Sequence, residues 1–114
     1  MATPARGDVW VVDFSPTRGR EQAGRRPALV VSVDPFNLGR SGLVLVVPMT
    51  TRERRLPTHV KVAPPEGGVR ATSFLMCENL RSVSVDRLVD PRWGSVSAPV
   101  LVAVEERLRL LLGL

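Results

Sequence analysis

The sequence contains no isoleucine and no tyrosine, and only one cysteine, one histidine and one lysine among its 114 residues. The single cysteine, Cys77, has no partner for an internal bridge, which excludes a disulfide framework and fits a reducing compartment. The single histidine, His59, excludes paired-histidine catalysis within one chain and leaves no Cys/His spacing for zinc. No apolar run approaches the roughly eighteen residues of a membrane span, and the start of the chain has no apolar stretch of the signal-peptide kind. A cytoplasmic protein without membrane association is therefore expected. Gly-rich phosphate loops and the Gly-x-Ser-x-Gly elbow are missing. The acidic residues form no cluster suited to two-metal phosphoryl chemistry beyond the adjacent Glu105 and Glu106. Neither a metal nor a cofactor is expected, and generic kinase, dehydrogenase and hydrolase readings fall away.

What is present is enough for one domain spanning residues 1–114, with 44% apolar residues to build a core. Sixteen basic residues against eleven acidic ones leave a net charge of +5. All the basic residues except Lys61 are arginine. That ratio, with the missing isoleucine and tyrosine, matches the codon bias of a GC-rich genome. The excess charge is a separate matter, and it favours polyanionic partners through counterion release.

Short β-type runs occupy residues 9–14, 27–32, 43–49, 60–62, 73–76 and 81–85, the last alternating with period two. Breaks fall at residues 39–42, at 64–68 and at Asp90-Pro91. Regularly spaced short strands without long helices between them predict a mainly β fold, a small closed or half-closed barrel. A short helix can start at Asp34-Pro35, ahead of Phe36-Asn37. The one clear helix is C-terminal, with Ser97 as N-cap and Pro99 in its first turn. Val100, Val104, Leu108, Leu111 and Leu112 line one face, and Glu105 and Arg109 form an i,i+4 pair. If Val60 and Val62 face inward, His59 and Lys61 face outward, which makes His59 an exposed surface residue. Cys77 is expected to be a small buried hydrophobe and Trp10 part of the core, while Trp93 fits either a core lid or an interface.

The arginines are unevenly spread. Arg18, Arg20, Arg25 and Arg26 crowd the segment between the first two runs, and Arg52, Arg54 and Arg55 follow the third. Either cluster alone reads as a solvated loop. At the ends of neighbouring strands they would form a positive groove for a phosphodiester chain. With three Phe and two Trp, base stacking has little to work with, so such a groove relies on phosphate contacts and base-edge hydrogen bonds. Thr50, beside the second cluster, adds a hydroxyl. RNA carries its own nucleophile in the 2′-OH, so a guanidinium and a hydroxyl converging on one phosphate suit metal-free phosphoryl chemistry.

Longer blocks of the sequence are more specific. Arg6-Gly7-Asp8-Val9-Trp10 and Asp13-Phe14-Ser15-Pro16 are followed by a block running from Gly19-Arg20-Glu21-Gln22 through Arg25-Arg26-Pro27 to Ser32. Val47-Pro48-Met49-Thr50-Thr51, Leu56-Pro57-Thr58-His59-Val60 and Cys77-Glu78-Asn79-Leu80-Arg81-Ser82-Val83 come next. In this order, over residues 6 to 112, they resemble toxins of the MazF/PemK family. The resemblance implies an SH3-like β-barrel of the MazF/PemK/CcdB type with a C-terminal α-helix, acting as a homodimer. It implies a metal-independent, sequence-selective endoribonuclease that cuts single-stranded mRNA and leaves a 2′,3′-cyclic phosphate and a 5′-OH. A cognate MazE/PemI-like antitoxin would block the groove with an acidic tail, and the pair would bind DNA through the antitoxin.

Carried onto this chain, the family's catalytic arginine falls on Arg26 and its catalytic threonine on Thr50. Its RNA-groove positions suggest Glu21, Gln22, Arg25, Asn37, Thr51, Arg52, Glu78 and Arg81. Two departures stand out: Asn79 replaces a common glutamine, and Arg20 and Arg25 replace smaller or apolar residues. A guanidinium holds its proton up to about pH 12, so transition-state stabilisation is the role best suited to Arg26, with proton transfer as the alternative that family precedent allows. Two other classes remain as alternatives: a CcdB-like inhibitor that binds DNA gyrase, and an inactive homologue that binds RNA or antitoxin without cutting. The chain ends Leu112-Gly113-Leu114 rather than in the Trp-Gly-Ile of the gyrase poisons, and it retains both Arg26 and Thr50.

Overall fold

The computed structural model describes residues 3–15 and 24–114. Seven strands and two helices follow in the order β1 (Asp8–Asp13), β2 (Arg25–Val30), α1 (Asp34–Asn37), β3 (Leu43–Thr50), β4 (His59–Val62), β5 (Ser73–Met76), β6 (Arg81–Ser84), β7 (Leu88–Ser95) and α2 (Ala98–Leu112). The mainly β expectation with a C-terminal helix holds. The strands run β4-β5-β3-β2-β1-β7, and every pairing is antiparallel.

The eight-residue strand β3 organises this arrangement. Its first half, Leu43 to Val46, pairs with β6, and its end, Met49 and Thr50, pairs with β5. Residues 46–48 also pair with β2. β3 thereby belongs to two sheets, and its side chains feed two cores. Leu29, Val47, Met49, Val60, Leu75 and Val104 of α2 belong to one core, and Trp10, Val12, Ala28, Val30, Val46, Val83 and Leu88 to the other. Strands buried on both faces read as nearly continuous apolar runs, which is why Leu43 to Met49 shows no alternation. Each such Val or Leu contributes roughly 1.5–3 kcal/mol on full burial.

Several details differ from the sequence-based expectation. Arg25 and Arg26 open β2 rather than sitting in the preceding loop. Asp90-Pro91 lies inside β7, not at a break. β7 is the outer strand of the sheet and its register against β1 shifts between Val9 and Val11, so a residue without an N–H is tolerated there. Ser97 occupies the N-cap position of α2 but makes no side-chain cap; its N–H and hydroxyl both bond the Glu66 carboxylate. Glu105 pairs with Arg6 of the N-terminal segment rather than with Arg109. On α2, Val104 is fully buried and Val100 and Leu108 pack on the first core, while Leu111 and Leu112 stay exposed. No helix among the described residues is long and apolar enough to cross a membrane.

Candidate active site

The ladder brings Arg26 and Thr50 together. The antiparallel ladder ends at Ala28 and Pro48, and the same register carried two residues back along β2 and two forward along β3 brings Arg26 level with Thr50. Alternation then places both side chains on one face, because Leu29, Val47 and Met49 turn to the other into the first core. The same face continues across the sheet. Thr50 pairs with Phe74, and His59 pairs with Met76, two residues beyond Phe74 on β5. Arg26, Thr50 and His59 therefore project from three different strands to the same side.

Two hollows meet on that side. One, of about 310 Å³, is lined by Gly24, Arg25, Arg26, Pro27, Met49, Thr50, Thr51 and Ser73. The other, of about 480 Å³, is lined by Arg26, Thr50, Arg52, Arg54, His59, Met76, Glu78 and Asn79. Arg26 and Thr50 belong to both, so they stand where the two join. Among the described residues, four arginines against one carboxylate line the combined cleft, a charge balance that suits a phosphodiester chain. Arg26 is half-buried, with its Nε out of solvent and without a hydrogen-bond partner among the described residues. Thr50 Oγ1 accepts the backbone N–H of Arg52 at 3.1 Å.

The second hollow contains an acid–base pair. His59 Nε2 and Glu78 Oε2 are 2.8 Å apart, and Thr58 Oγ1 donates to Glu78 Oε1 at 2.7 Å. The imidazole is almost wholly buried, with 3% of the side chain exposed against 32% for Glu78. Burial pushes the Glu78 carboxyl up, but the hydrogen bonds from Thr58 and His59 outweigh it and hold it below its ordinary value. Next to it, burial and the Glu78 charge raise the Cys77 thiol to about 11.

The expectation of an exposed His59 is thus corrected. It does point away from Val60 and Val62, but the single-turn 3₁₀ helix Cys77–Asn79 folds over it and brings Glu78 onto the ring. Strand alternation assigned the face correctly; only the chain that follows the neighbouring strand decides whether that face is covered. Cys77 and Trp10 are buried as expected. Trp93 packs on the first core, with the Arg70 guanidinium 4.6 Å above its ring.

Of the other expected groove positions, Arg25, Thr51, Arg52 and Glu78 lie at the two hollows. Asn37 does not. It sits at the other end of β2 and β3, 5% exposed, donating to the Ser32 carbonyl at 3.0 Å and accepting from the Ser32 hydroxyl. That amide, buried at the far end of the strands, holds α1 against them and does not reach the cleft. Arg81 faces a separate hollow with Asp13, Phe14 and Arg87, its guanidinium 5.0 Å from the centre of the Phe14 ring. Glu21 and Gln22, like Arg18 and Arg20, lie outside the described residues. Arg54 and His59 line the second hollow and Thr58 holds Glu78, and none of the three is among the residues assigned to the site from the sequence.

A sequence profile of the family described as PemK-like, MazF-like toxin of type II toxin-antitoxin system matches residues 5–112. The endoribonuclease MazF9 of Mycobacterium tuberculosis is 38% identical, covering 96% of each chain. The crystal structure of MazF from Deinococcus radiodurans superposes with a TM-score of 0.85 at 32% identity, covering all of both chains. A MazE–MazF structure from the same organism gives 0.79 at 33% identity, over 100% of this chain and 99% of the other. With the family profile spanning almost its whole length and a curated relative 38% identical over 96% of both chains, this chain belongs to the PemK/MazF family of type II toxin–antitoxin toxins.

Proposed function

We propose that this chain is an endoribonuclease toxin that cuts single-stranded mRNA by intramolecular transesterification. The observation that carries this reading is the position of Arg26 and Thr50 at the junction of two hollows in an arginine-rich cleft. RNA lies along the cleft with phosphates against Arg25, Arg52 and Arg54, and with Thr51 and Glu78 within reach of the strand. The 2′-oxygen attacks the adjacent phosphorus, the P–O5′ bond breaks, and the products carry a 2′,3′-cyclic phosphate and a 5′-OH. The reaction needs no metal, because nucleophile and electrophile both belong to the RNA. Arg26 offers a planar fork of donors to the non-bridging oxygens as charge builds on them. The Thr50 oxygen accepts from Arg52, which keeps its O–H for the phosphate.

The working form is a homodimer. Leu111 and Leu112, adjacent at the end of α2, and Leu114 just beyond it are exposed in the single chain and supply an apolar surface for a second copy. A MazE-like antitoxin with an acidic segment fits a chain of net charge +5 and a cleft lined with arginine. The nuclease relatives favour this reading over gyrase binding.

Incubation with a long unstructured RNA in EDTA, followed by mapping of fragment ends, tests the proposal. Discrete cuts bearing 2′,3′-cyclic phosphate are expected. Intact RNA from folded protein would overturn it.

A further inference from the structure

The cleft face does not end at β3. Lys61 of β4 pairs with Phe74 of β5, and Phe74 pairs with Thr50, so the three stand in one row across the sheet on the same face. Val60 and Val62, on either side of Lys61, turn into the first core, as Met49 does beside Thr50. With strands about 4.8 Å apart, the Thr50 and Lys61 backbones lie roughly 10 Å from one another. The connection from β3 to β4 follows the same course. Both strands are antiparallel to β5 and flank it, so residues 51–58 form a crossover past β5. Arg52 and Arg54 of that segment share a hollow with Met76 of β5 and His59 of β4, which puts the crossing on the cleft side. A strand of RNA that meets Arg26 and Thr50 and then Arg52 and Arg54 is therefore heading across β5 towards Lys61.

Lys61 is exposed and makes no hydrogen bond or ion pair among the described residues. A lysine in a sheet gains from a carboxylate directly or diagonally opposite. Here the residue opposite is Phe74, the diagonal ones are Thr72 and Met76, and those two along its own strand are His59 and Ala63. Neither β4 nor β5 carries an acidic residue. Arg6 and Arg92, by contrast, are each matched by a carboxylate. The Lys61 ammonium, on a flexible four-carbon stem, is a point charge left for an anion from outside the chain.

We propose that Lys61 is a phosphate subsite: its ammonium binds a phosphodiester of the RNA strand beyond the scissile one and continues the track of Arg26, Arg52 and Arg54 to the outer strand of the sheet. This rests on the endoribonuclease reading. A backbone contact carries no sequence information, so the subsite adds affinity at every cut site alike. β4 is an outer strand, and a lysine on such a strand also discourages edge-to-edge pairing between molecules. That role alone predicts self-association of a neutral variant with no effect on RNA.

RNA affinity measured across a salt series, in a Thr50→Val background that slows cutting, tests the assignment. The probes are the long unstructured RNA, a short RNA centred on a mapped cut, and copies of the latter shortened stepwise from either end. Lys61→Gln should make log Kd against log salt shallower by about 0.7, the value for one phosphate contact on a single strand, and Lys61→Arg should restore the slope. Arg40→Gln removes the same charge from the turn before β3, at the far end of that strand from Thr50, and should leave the slope near its native value. The effect of Lys61→Gln should vanish once the RNA is shortened past the subsite on one side and persist when it is shortened on the other. With Thr50 intact, Lys61→Gln should raise the RNA concentration for half-maximal cleavage more than it lowers the saturating rate. An unchanged slope, a change matched by Arg40→Gln, an effect independent of RNA length, or self-association in sedimentation with RNA binding intact overturns the subsite and leaves the nuclease reading in place. A native protein that fails to bind RNA removes both. One that binds without cutting removes the nuclease reading, and the salt series on the long RNA still decides the subsite.

Discussion

The Thr50 hydroxyl and the Arg52 backbone N–H, 3.1 Å apart, close a two-residue turn where β3 ends. That bond fixes the threonine rotamer and aims its O–H proton away from the protein's own backbone. Thr50→Ser keeps both features and should cut RNA within about tenfold of the native rate. Thr50→Val keeps the shape but loses the donor, and should lose about 10²–10³-fold in rate with RNA affinity little changed. Arg26→Lys retains the charge without the planar fork and should be comparably inactive. Cleavage rates and dissociation constants measured in parallel separate these effects.

Gly68 lies under β7, and a Cβ built on it would come within 2.3 Å of the Trp93 carbonyl oxygen. Its φ of +78° is in the left-handed region as well. Trp93 cannot yield, because the obstacle is its backbone within β7, which pairs with β1. Gly68→Ala should therefore destabilise the fold by about 2–5 kcal/mol, combining backbone strain with overpacking. Urea denaturation followed by tryptophan fluorescence would show the loss.

How much of this was legible in the sequence depended on whether the signal was local. Thr50 at the end of an apolar run could be picked out because its strand boundary is set by its own neighbours, whereas Arg26 was singled out by the family resemblance and expected in the loop rather than in β2. α2 was readable from Val100, Val104 and Leu108, whose spacing is a property of one segment. His59 was not, because its cover comes from Glu78, nineteen residues away, through a single turn with no signature of its own. Asn37 failed for the opposite reason: its amide looked available for a groove, but Ser32, five residues back, uses both ends of it. Arg6 and Glu105, ninety-nine residues apart, show the same limit for charge pairs.

Cys77 should be inert despite standing next to the cleft. Burial and the Glu78 charge raise its thiol from 9.0 to about 11, so almost no thiolate exists at pH 8 and almost none of the sulfur is exposed. Ellman's reagent should react slowly with folded protein at pH 8 and fast in urea. The folded state holds the proton more tightly than the unfolded one, so stability is unaffected below pH 9 and falls as pH rises from about 9 towards 11. Cys77→Ala should lack this alkaline loss, and parallel melting curves at pH 8 and pH 10 would reveal the difference.

The N-terminus of α2 depends on a residue outside the helix. Glu66 accepts from the Ser97 N–H at 2.5 Å and from the Ser97 hydroxyl at 3.1 Å, across thirty-one residues of sequence. Helix N-termini leave backbone donors without partners, and a carboxylate there also meets the positive end of the helix dipole. Glu66→Ala removes both contributions and should cost about 1.5–3 kcal/mol, the range for a hydrogen bond to a charged group. Glu66→Gln retains one acceptor and should cost less. Because Val104 of this helix is fully buried in the first core with Met49, the neighbour of Thr50, a loosened α2 acts on the fold before it acts on the site. Urea midpoints should drop in the order native, Glu66→Gln, Glu66→Ala, while cleavage by the folded variants at 25 °C stays close to native. A large loss of cleavage in folded Glu66→Ala would show instead that the helix end is coupled to the cleft.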